Sequence, residues 1–505
     1  MDKKNIDKKK YIGITIGPIF DTMNLASSPV ALWATSYMFS MLSRRLCKVI
    51  TTCSEYRVNE EDIISPYYSE KEELFLQKDG VGLFHDRIIF VANNFDIKTQ
   101  MCNVWNKAVS CVAKNMGIDF NELNKYVMVS AIEFESSKPL IDSGKILDCI
   151  ELAKPFVEKE QLNPLLTLFN GDKNSKNKIL KYIPAVTDLR EFQLKSDKAD
   201  SFFKSLDSIV NTGKGYKKYN YYAIVRSDAD NMGKVISSLE GDENIREFSH
   251  QCLMYCAEIA EVVKNYDGVT IYSGGDDLLA IMPCESKSNG TIFEFLTKAN
   301  ETFDKYFGKH SEFKQKFGFK QIPSLSFGVT IAFKNFPLYE ALSNSAHLLF
   351  GVAKKDTKNR VAICLHKHSG QSEGLVFSND ELKYLCDMLK YIVDKKNSKN
   401  TNDKVFLSSL HKIAIFQKSV DSVQDSSQTY NLFKNIFDGP EHKNNDFVLN
   451  KLPELLEKLK DNAMIYPLKT GEIVYGKPSL TIQYILSIFK FFVEKSSDNN
   501  QKEAT

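Results

Sequence analysis

The sequence predicts an α+β protein with two α/β units of similar size, a helical stretch between them and a helical C-terminal domain. Three observations carry that expectation. Between Tyr219 and about His368 the apolar patterning reads strand, helix, strand, strand, helix, strand, which is the ferredoxin-like plan. The segment from Tyr11 to about Ile150 also opens on a strand and mixes strands with helices. From about Glu373 onward no convincing strand run is present, and apolar residues recur at helical spacing between polar loops such as Asp394–Lys404.

The elements follow in order. Tyr11–Ile16 reads as a strand closed by the Gly17-Pro18 turn, and Leu32–Leu46 as a helix. Arg87–Ala92 and Tyr126–Phe134 read as strands. Residues 151–215 are polar and helical in pattern and lead into a Gly/Lys/Tyr linker. Tyr221–Ser227 is a strand, Phe248–Lys264 a helix, and Val269–Ser273 with Leu278–Met282 a pair of strands around a tight turn. Thr291–Phe307 is a helix, Ser324–Phe333 a strand, Leu338–Ala353 a helix and Arg360–Leu365 a strand. These readings divide the chain into 1–150, 151–215, 216–372 and 373–505, the last with a disordered tail.

Composition excludes several classes. A chain of 505 residues with 43% apolar and 26% charged residues is an ordinary globular protein, long enough for about three or four domains. Lys and Arg (66) nearly balance Asp and Glu (64), so the net charge of +2 gives no drive toward bulk nucleic-acid binding, and any basic groove is local. The most apolar stretch, Leu480–Val493, is broken by Gln483 and Lys490 and reads as an amphipathic helix rather than a membrane span. The charged start MDKKNIDKKK is unlike a secretory signal, so a cytoplasmic protein is expected. The ten cysteines form no C-x-x-C pair. Cys252 and Cys256 lie one helical turn apart without a second pair, so buried free thiols are expected rather than a zinc site.

The strongest chemical signal is Tyr272-Ser273-Gly274-Gly275-Asp276-Asp277, between the apolar flanks GVTIY and LLAIM. Two glycines before an acid are a hairpin-turn signal. A solvated turn explains the glycines, but it does not need two adjacent carboxylates between strands this apolar. Carboxylates in such a place are costly unless they hold a cation, and oxygen-only ligands suit Mg²⁺ or Mn²⁺. A second motif, Arg226-Ser227-Asp228-Ala229-Asp230-Asn231-Met232-Gly233-Lys234, follows a strand and opens a helix. Such a junction offers a carboxylate together with free backbone N–H groups, as a metal-bound triphosphate requires; a capped helix start is the plainer alternative. In the ferredoxin-like plan the first strand neighbours the central hairpin, so Asp228 reaches Asp276 and Asp277. Lys354 ends a predicted helix, where it serves either as a phosphate contact or as a cation on a helix C-terminus.

The order D-x-D-N-M-G-K, Y-S-G-G-D-D, S-F-G-V-T-I-A and A-K-x-x-x-K-N resembles the palm of the polymerase/cyclase-type large subunit of type III CRISPR effector complexes, and more distantly GGDEF diguanylate cyclases. ITIGPIFDTM, LWATSYMFSMLSRRL, DIISPYY and GVGLFHDRIIFVA are similar to the first, non-catalytic palm of the III-B (Cmr-type) subunit. The resemblance covers nearly the whole chain and implies two ferredoxin-like palm domains. It implies a nucleotidyltransferase that joins ATP to an acceptor with loss of pyrophosphate and releases a second messenger. Asp228 and Asp276 would bind two divalent ions, with Asp277 assisting. Ala229, Asp230, Asn231 and Met232 would cradle phosphate, and Ser273, Gly274, Gly275, Ser326 and Lys354 would contact nucleotide. The implied partners are other subunits of a Cmr-type complex, with guide RNA and target RNA reached through that complex, and no membrane.

The chain departs from the family pattern in several places. No HD nuclease domain precedes the first palm, and the one His-Asp dipeptide, His85-Asp86, has no partner histidine before it, so a structural role and no DNA nuclease activity are expected. Cysteine pairs between the palms are missing, and Phe333 stands where a histidine is frequent. Asn24-Leu25-Ala26-Ser27-Ser28-Pro29-Val30 carries no cation where relatives have basic residues. An acceptor bearing a triphosphate wants cations there. A short branch of the family joins AMP to S-adenosylmethionine, and a sulfonium acceptor fits this loop; phosphate contacts from elsewhere fit cyclic oligoadenylate equally. Two other functions compete: an inert palm that only scaffolds guide RNA, and a stand-alone GGDEF-like cyclase. The intact carboxylates oppose the first, and the second palm and helical C-terminus oppose the second.

Overall fold

The computed structural model describes residues 9–24, 29–71, 81–152, 221–286, 288–355, 357–370, 372–397, 403–423, 425–440, 442, 445–459, 464–465 and 477–497. The helical stretch expected over 151–215, its linker and the C-terminal tail lie outside these residues from 153 to 220 and beyond 497. The chain forms two compact units. The first holds Met1–Ser208, Asp228–Ile281 and Glu301–Ser324, and the second holds Ile209–Ser227, Met282–Asn300 and Leu325–Thr505.

In the first unit, strands β1 (Lys9–Gly17), β2 (Ile63–Ser65), β3 (Arg87–Val91) and β4 (Met128–Ser136) form a sheet in the order β2-β3-β1-β4. β1 runs antiparallel to both β3 and β4. Helix Pro29–Thr52 joins β1 to β2, and helix Ile97–Met116 lies between β3 and β4, so this α/β segment is also a ferredoxin-like unit. β1 occupies the middle of the sheet and buries Tyr11, Ile12, Ile14 and Ile16, both faces of the strand. Helix Ile97–Met116 is capped by Asp96, whose carboxylate accepts from Lys98 N, and stops at Gly117 with φ 75°. Its buried Met101, Val104, Trp105, Ala108, Val112 and Met116 recur at three and four residues, which lays one apolar face on the sheet.

The larger sheet has the order β11-β10-β9-β8-β5-β7-β6. Its strands are β5 (Tyr221–Asp230), β6 (Val269–Gly274), β7 (Asp277–Pro283), β8 (Ser324–Phe333), β9 (Arg360–His366), β10 (Ser372–Ser378) and β11 (Met464–Ile465). The run β8-β5-β7-β6 repeats the strand order of the first sheet. Two palm-type units are therefore present, as the strand and helix periodicities imply.

Two features differ from the expectation. Helix Leu338–Ala353 is α-helical only to Ala346 and continues as a π-helix over His347–Ala353. Gly328 of β8 accounts for the close approach there: a Cβ on it would lie 2.3 Å from Ser345 O and 2.5 Å from Leu349 N. Gly328→Ala should cost about 1–3 kcal/mol by overpacking, read as a lower denaturation midpoint than the parent. An unchanged midpoint would mean the helix is free to move off β8. The second difference is β10. Ser372–Ser378 pairs antiparallel with β9, so a strand does occur where only helices were expected. Gly374 and the polar flanks hide its three apolar residues, Leu375, Val376 and Phe377, and the partner strand supplies the order.

Beyond β10 the short strand β11 also departs from the expected helices, pairing Met464 and Ile465 with Val376 and Leu375. The other elements of the described remainder are helical, including Asn379–Asn397, Asp403–Ile415, Ser426–Ile436, Leu452–Leu459 and Pro478–Ser497. The last buries Ile482, Ile485, Leu486, Phe489 and Phe492. Phe293 packs its ring against Phe377, Phe489 and Phe492, at centroid distances of 6.5, 6.2 and 5.8 Å. No helix among the described residues is long and apolar enough to cross a membrane.

Candidate metal centre

β5 runs three residues further than its apolar pattern, through Asp230. Strand alternation places Asp228 and Asp230 on one face, but their environments differ. Asp228 is half-buried. Asp230 is wholly buried, and its Oδ2 accepts a 2.9 Å bond from Ser324 Oγ at the start of β8. Asn231 then turns the chain with φ 62°, a left-handed conformation that Asn tolerates, and helix Met232–Ser238 begins. The side chains of Ala229 and Met232 enter the core, which leaves only their backbone to face a ligand. Lys234 is exposed and donates to Gln321 Oε1 at 2.7 Å.

β6 and β7 pair with Gly274 opposite Asp277, so Gly275-Asp276 is a two-residue hairpin turn. Gly275 has φ 68°, and nothing lies within 4 Å of where its Cβ would be. Conformation, not space, calls for glycine there. This turn carries Asp276 and Asp277 back toward the end of β5. One carboxylate oxygen from each of Asp228, Asp276 and Asp277 lies within 4.8 Å of the others, and among the described residues no other such group of acids, histidines or cysteines occurs. Burial, reinforced by repulsion from Asp277 and Asp230, raises the Asp276 carboxyl to about 7, with its own backbone N–H partly offsetting the rise. Three converging carboxylates with an excess of negative charge, and only oxygen donors, fit a hard divalent cation.

Two neighbours hold the turn. Cys256, on helix Asp242–Asn265, donates from Sγ to Gly275 O at 3.4 Å. Burial pushes its thiol up to about 12, and that of Cys252 well above its ordinary value, so both are protonated core groups. On the other side, Ser273 N donates to Gly82 O at 3.1 Å, and His85 packs against Gly274. His85 is also pushed down to about 4 by burial and by Arg87, which keeps the imidazole neutral. Its Nε2 lies 3.1 Å from Ser65 Oγ, the structural role expected of the dipeptide. Gly82, His85 and Cys256 are the supports that sequence reasoning missed. GVGLFHD carries Gly82 and His85 in plain view, but nothing local shows that the loop meets β6.

The first palm has no equivalent carboxylate set among the described residues. β3 begins at Arg87 as β7 begins at Asp277, and the Arg87 guanidinium donates to Asp148 Oδ1 at 2.6 Å and Glu151 Oε2 at 3.0 Å. Arg87 is thus held between two acids.

The other expected contacts are placed as follows. Ser273 and Ser326 are wholly buried in β6 and β8. Lys354 follows the π-helical turns in the second unit, where burial and Lys358 push its ammonium down to about 8. Of Asn24–Val30, residues 25–28 lie outside the described residues.

Residues 221–362 match the family model described as Cas10/Cmr2, second palm domain. The chain is similar to the CRISPR system Cmr subunit Cmr2 of Pyrococcus furiosus, with 34% identity over 177 residues, covering 30% of this chain and 19% of that protein. The match therefore spans about a fifth of the curated relative. A type III-B Cmr-beta structure in the apo state aligns with a TM-score of 0.58 at 11% identity, over 96% of this chain and 82% of the other. Csm1 of T. onnurineus aligns at 0.56 and 13% identity, over 96% and 70%. A Csm1-Csm4 cassette in complex with cA3 aligns at 0.54 and 11% identity, over 98% and 71%. At such identities the structural likeness is one of fold. The second α/β unit of this chain is a Cas10/Cmr2-type palm.

Proposed function

We propose that this chain, with its Cas10/Cmr2-type second palm, is the large subunit of a type III CRISPR complex and acts there as a nucleotidyltransferase that turns ATP into an adenine-based second messenger. The observation that carries this reading is the convergence of Asp228, Asp276 and Asp277 at the end of β5 and the β6–β7 turn. These three carboxylates would hold two Mg²⁺ or Mn²⁺ ions. Bound there, the ions would lower the pKa of an acceptor hydroxyl and neutralise charge on the departing pyrophosphate. The chain itself positions the nucleotide. Lys234 N donates to Asn231 O, and the N–H groups of Met232 and Gly233 ahead of it open the helix toward phosphate. Gly274 and Gly275 keep side chains out of its path.

The proposed partners are the other Cmr-type subunits, with guide and target RNA reached through them, in the cytoplasm. A solved relative is described as bound to cognate target RNA, and another as holding cA3. The product is either cyclic oligoadenylate or AMP joined to S-adenosylmethionine. The uncharged stretch Asn24–Val30 fits a sulfonium acceptor, and phosphate contacts from elsewhere fit cyclic oligoadenylate equally. Mass spectrometry of the target-activated complex, given ATP with and without S-adenosylmethionine, tests both. An adenylate product dependent on Mg²⁺ or Mn²⁺ is expected. If no product forms from ATP under any of these conditions, the inert-scaffold reading stands instead.

A further inference from the structure

We infer that the first-palm segment Gly82–His85 positions the metal-binding turn of the second palm. The inference rests on the proposed metal site and concerns what holds it in shape. β6 is the edge strand of its sheet, so its outward N–H groups have no strand to pair with. Gly82 O takes the one on Ser273, three residues before Asp276, at 3.1 Å. His85 Cβ stands 3.7 Å from where a Cβ on Gly274 would lie, so the segment touches the turn at two successive residues.

The segment is itself fixed by buried hydroxyls. Ser40 Oγ accepts from Phe84 N at 2.8 Å, Ser43 Oγ donates to His85 O at 2.7 Å, and Ser65 Oγ bonds His85 Nε2 at 3.1 Å. Ser40 and Ser43 lie on one face of helix Pro29–Thr52, and all three serines are buried. An apolar face would satisfy burial alone. Hydroxyls are needed because the segment's backbone groups would otherwise be buried without partners. Gly82 suits the approach, since a Cβ there would stand 3.2 Å from Ser40 Cβ and the helix would have to give by a few tenths of an ångström. A chain of contacts therefore runs from the first-palm helix through Gly82–His85 to the turn bearing Asp276 and Asp277.

The test measures Mn²⁺ affinity of the full-length chain by electron paramagnetic resonance, and turnover in the assembled complex. Ser43→Ala with Ser65→Ala should weaken Mn²⁺ binding about tenfold, as expected for two lost bonds. Turnover should fall while half-saturation by ATP stays within about twofold. Ser408→Ala, which removes a bond to His442 in the C-terminal helices, is the control for general destabilisation and should leave Mn²⁺ affinity unchanged. Gly82→Ala tests the same contact if the double serine variant does not fold, with the same expected weakening. Parent-like Mn²⁺ affinity in the serine or glycine variant, where Asp276→Asn has lost binding, overturns the inference. If Asp276→Asn itself binds Mn²⁺ as the parent does, the metal-site reading fails, and the positioning role fails with it.

Discussion

Replacing Asp276 and Asp277 together by Asn is expected to abolish product formation, a loss of at least about a thousandfold, because ion-borne charge stabilisation amounts to several kcal/mol. The fold should survive. Asn keeps the shape of Asp, and the turn is set by the left-handed Gly275 and the Gly274–Asp277 pairing rather than by charge. The double variant should therefore keep its circular dichroism spectrum and assemble with its partner subunits while losing metal-dependent turnover. Near-normal turnover with either Mg²⁺ or Mn²⁺ would show that these carboxylates are not the metal ligands. Asp228→Asn should fall in the same direction, since its oxygen belongs to the same 4.8 Å group.

The hairpin bearing Asp276 and Asp277 was legible because its signals are local. Two glycines, two acids and two apolar flanks occupy consecutive positions, and the flanks became β6 and β7 within two residues of the expected bounds. β8 was read to the residue because ten residues of dense apolar and β-branched character admit no other element. Asp228 joined the site through topology: once the strand order is ferredoxin-like, the end of its first strand and the central hairpin are neighbours. What escaped was tertiary. β10 becomes a strand because β9 offers it a partner, and the π-helical turns of His347–Ala353 occur where the chain lies on Gly328. Asp230 sits two residues from Asp228 with the same formal chemistry. Full burial and the bond from Ser324, nearly a hundred residues on, distinguish it from the half-buried Asp228.

The two palms show how one fold can hold either role. Both carry the same strand order, so neither backbone excludes chemistry. In the first, Arg87 supplies a permanent cation that Asp148 and Glu151 neutralise, and a resident positive charge leaves no electrostatic reason for a metal. In the second, burial and repulsion from Asp277 and Asp230 bear on Asp276.

That unrelieved charge has a measurable consequence for the metal-free protein: Asp276→Asn should be more stable than the parent at neutral and higher pH. The folded carboxyl titrates at about 7, against an ordinary carboxyl value of 3.8. A raised folded value means that ionisation works against folding. Below pH 3.8 both states are protonated and no penalty exists. The penalty grows as pH rises through the window between the two values and is complete above about 7. Its full size is on the order of 2–4 kcal/mol, which Asn, neutral at every pH, avoids. Urea midpoints of parent and variant should therefore coincide near pH 4 and diverge toward pH 8, with the variant higher. Adding Mn²⁺ at pH 8 should raise the parent midpoint toward that of the variant, because a bound cation removes the same repulsion, and should move the variant far less. Parallel midpoints across this range would show that burial and repulsion do not hold the Asp276 carboxyl above its ordinary value in the folded protein, and the electrostatic case for a cation beside it would fall.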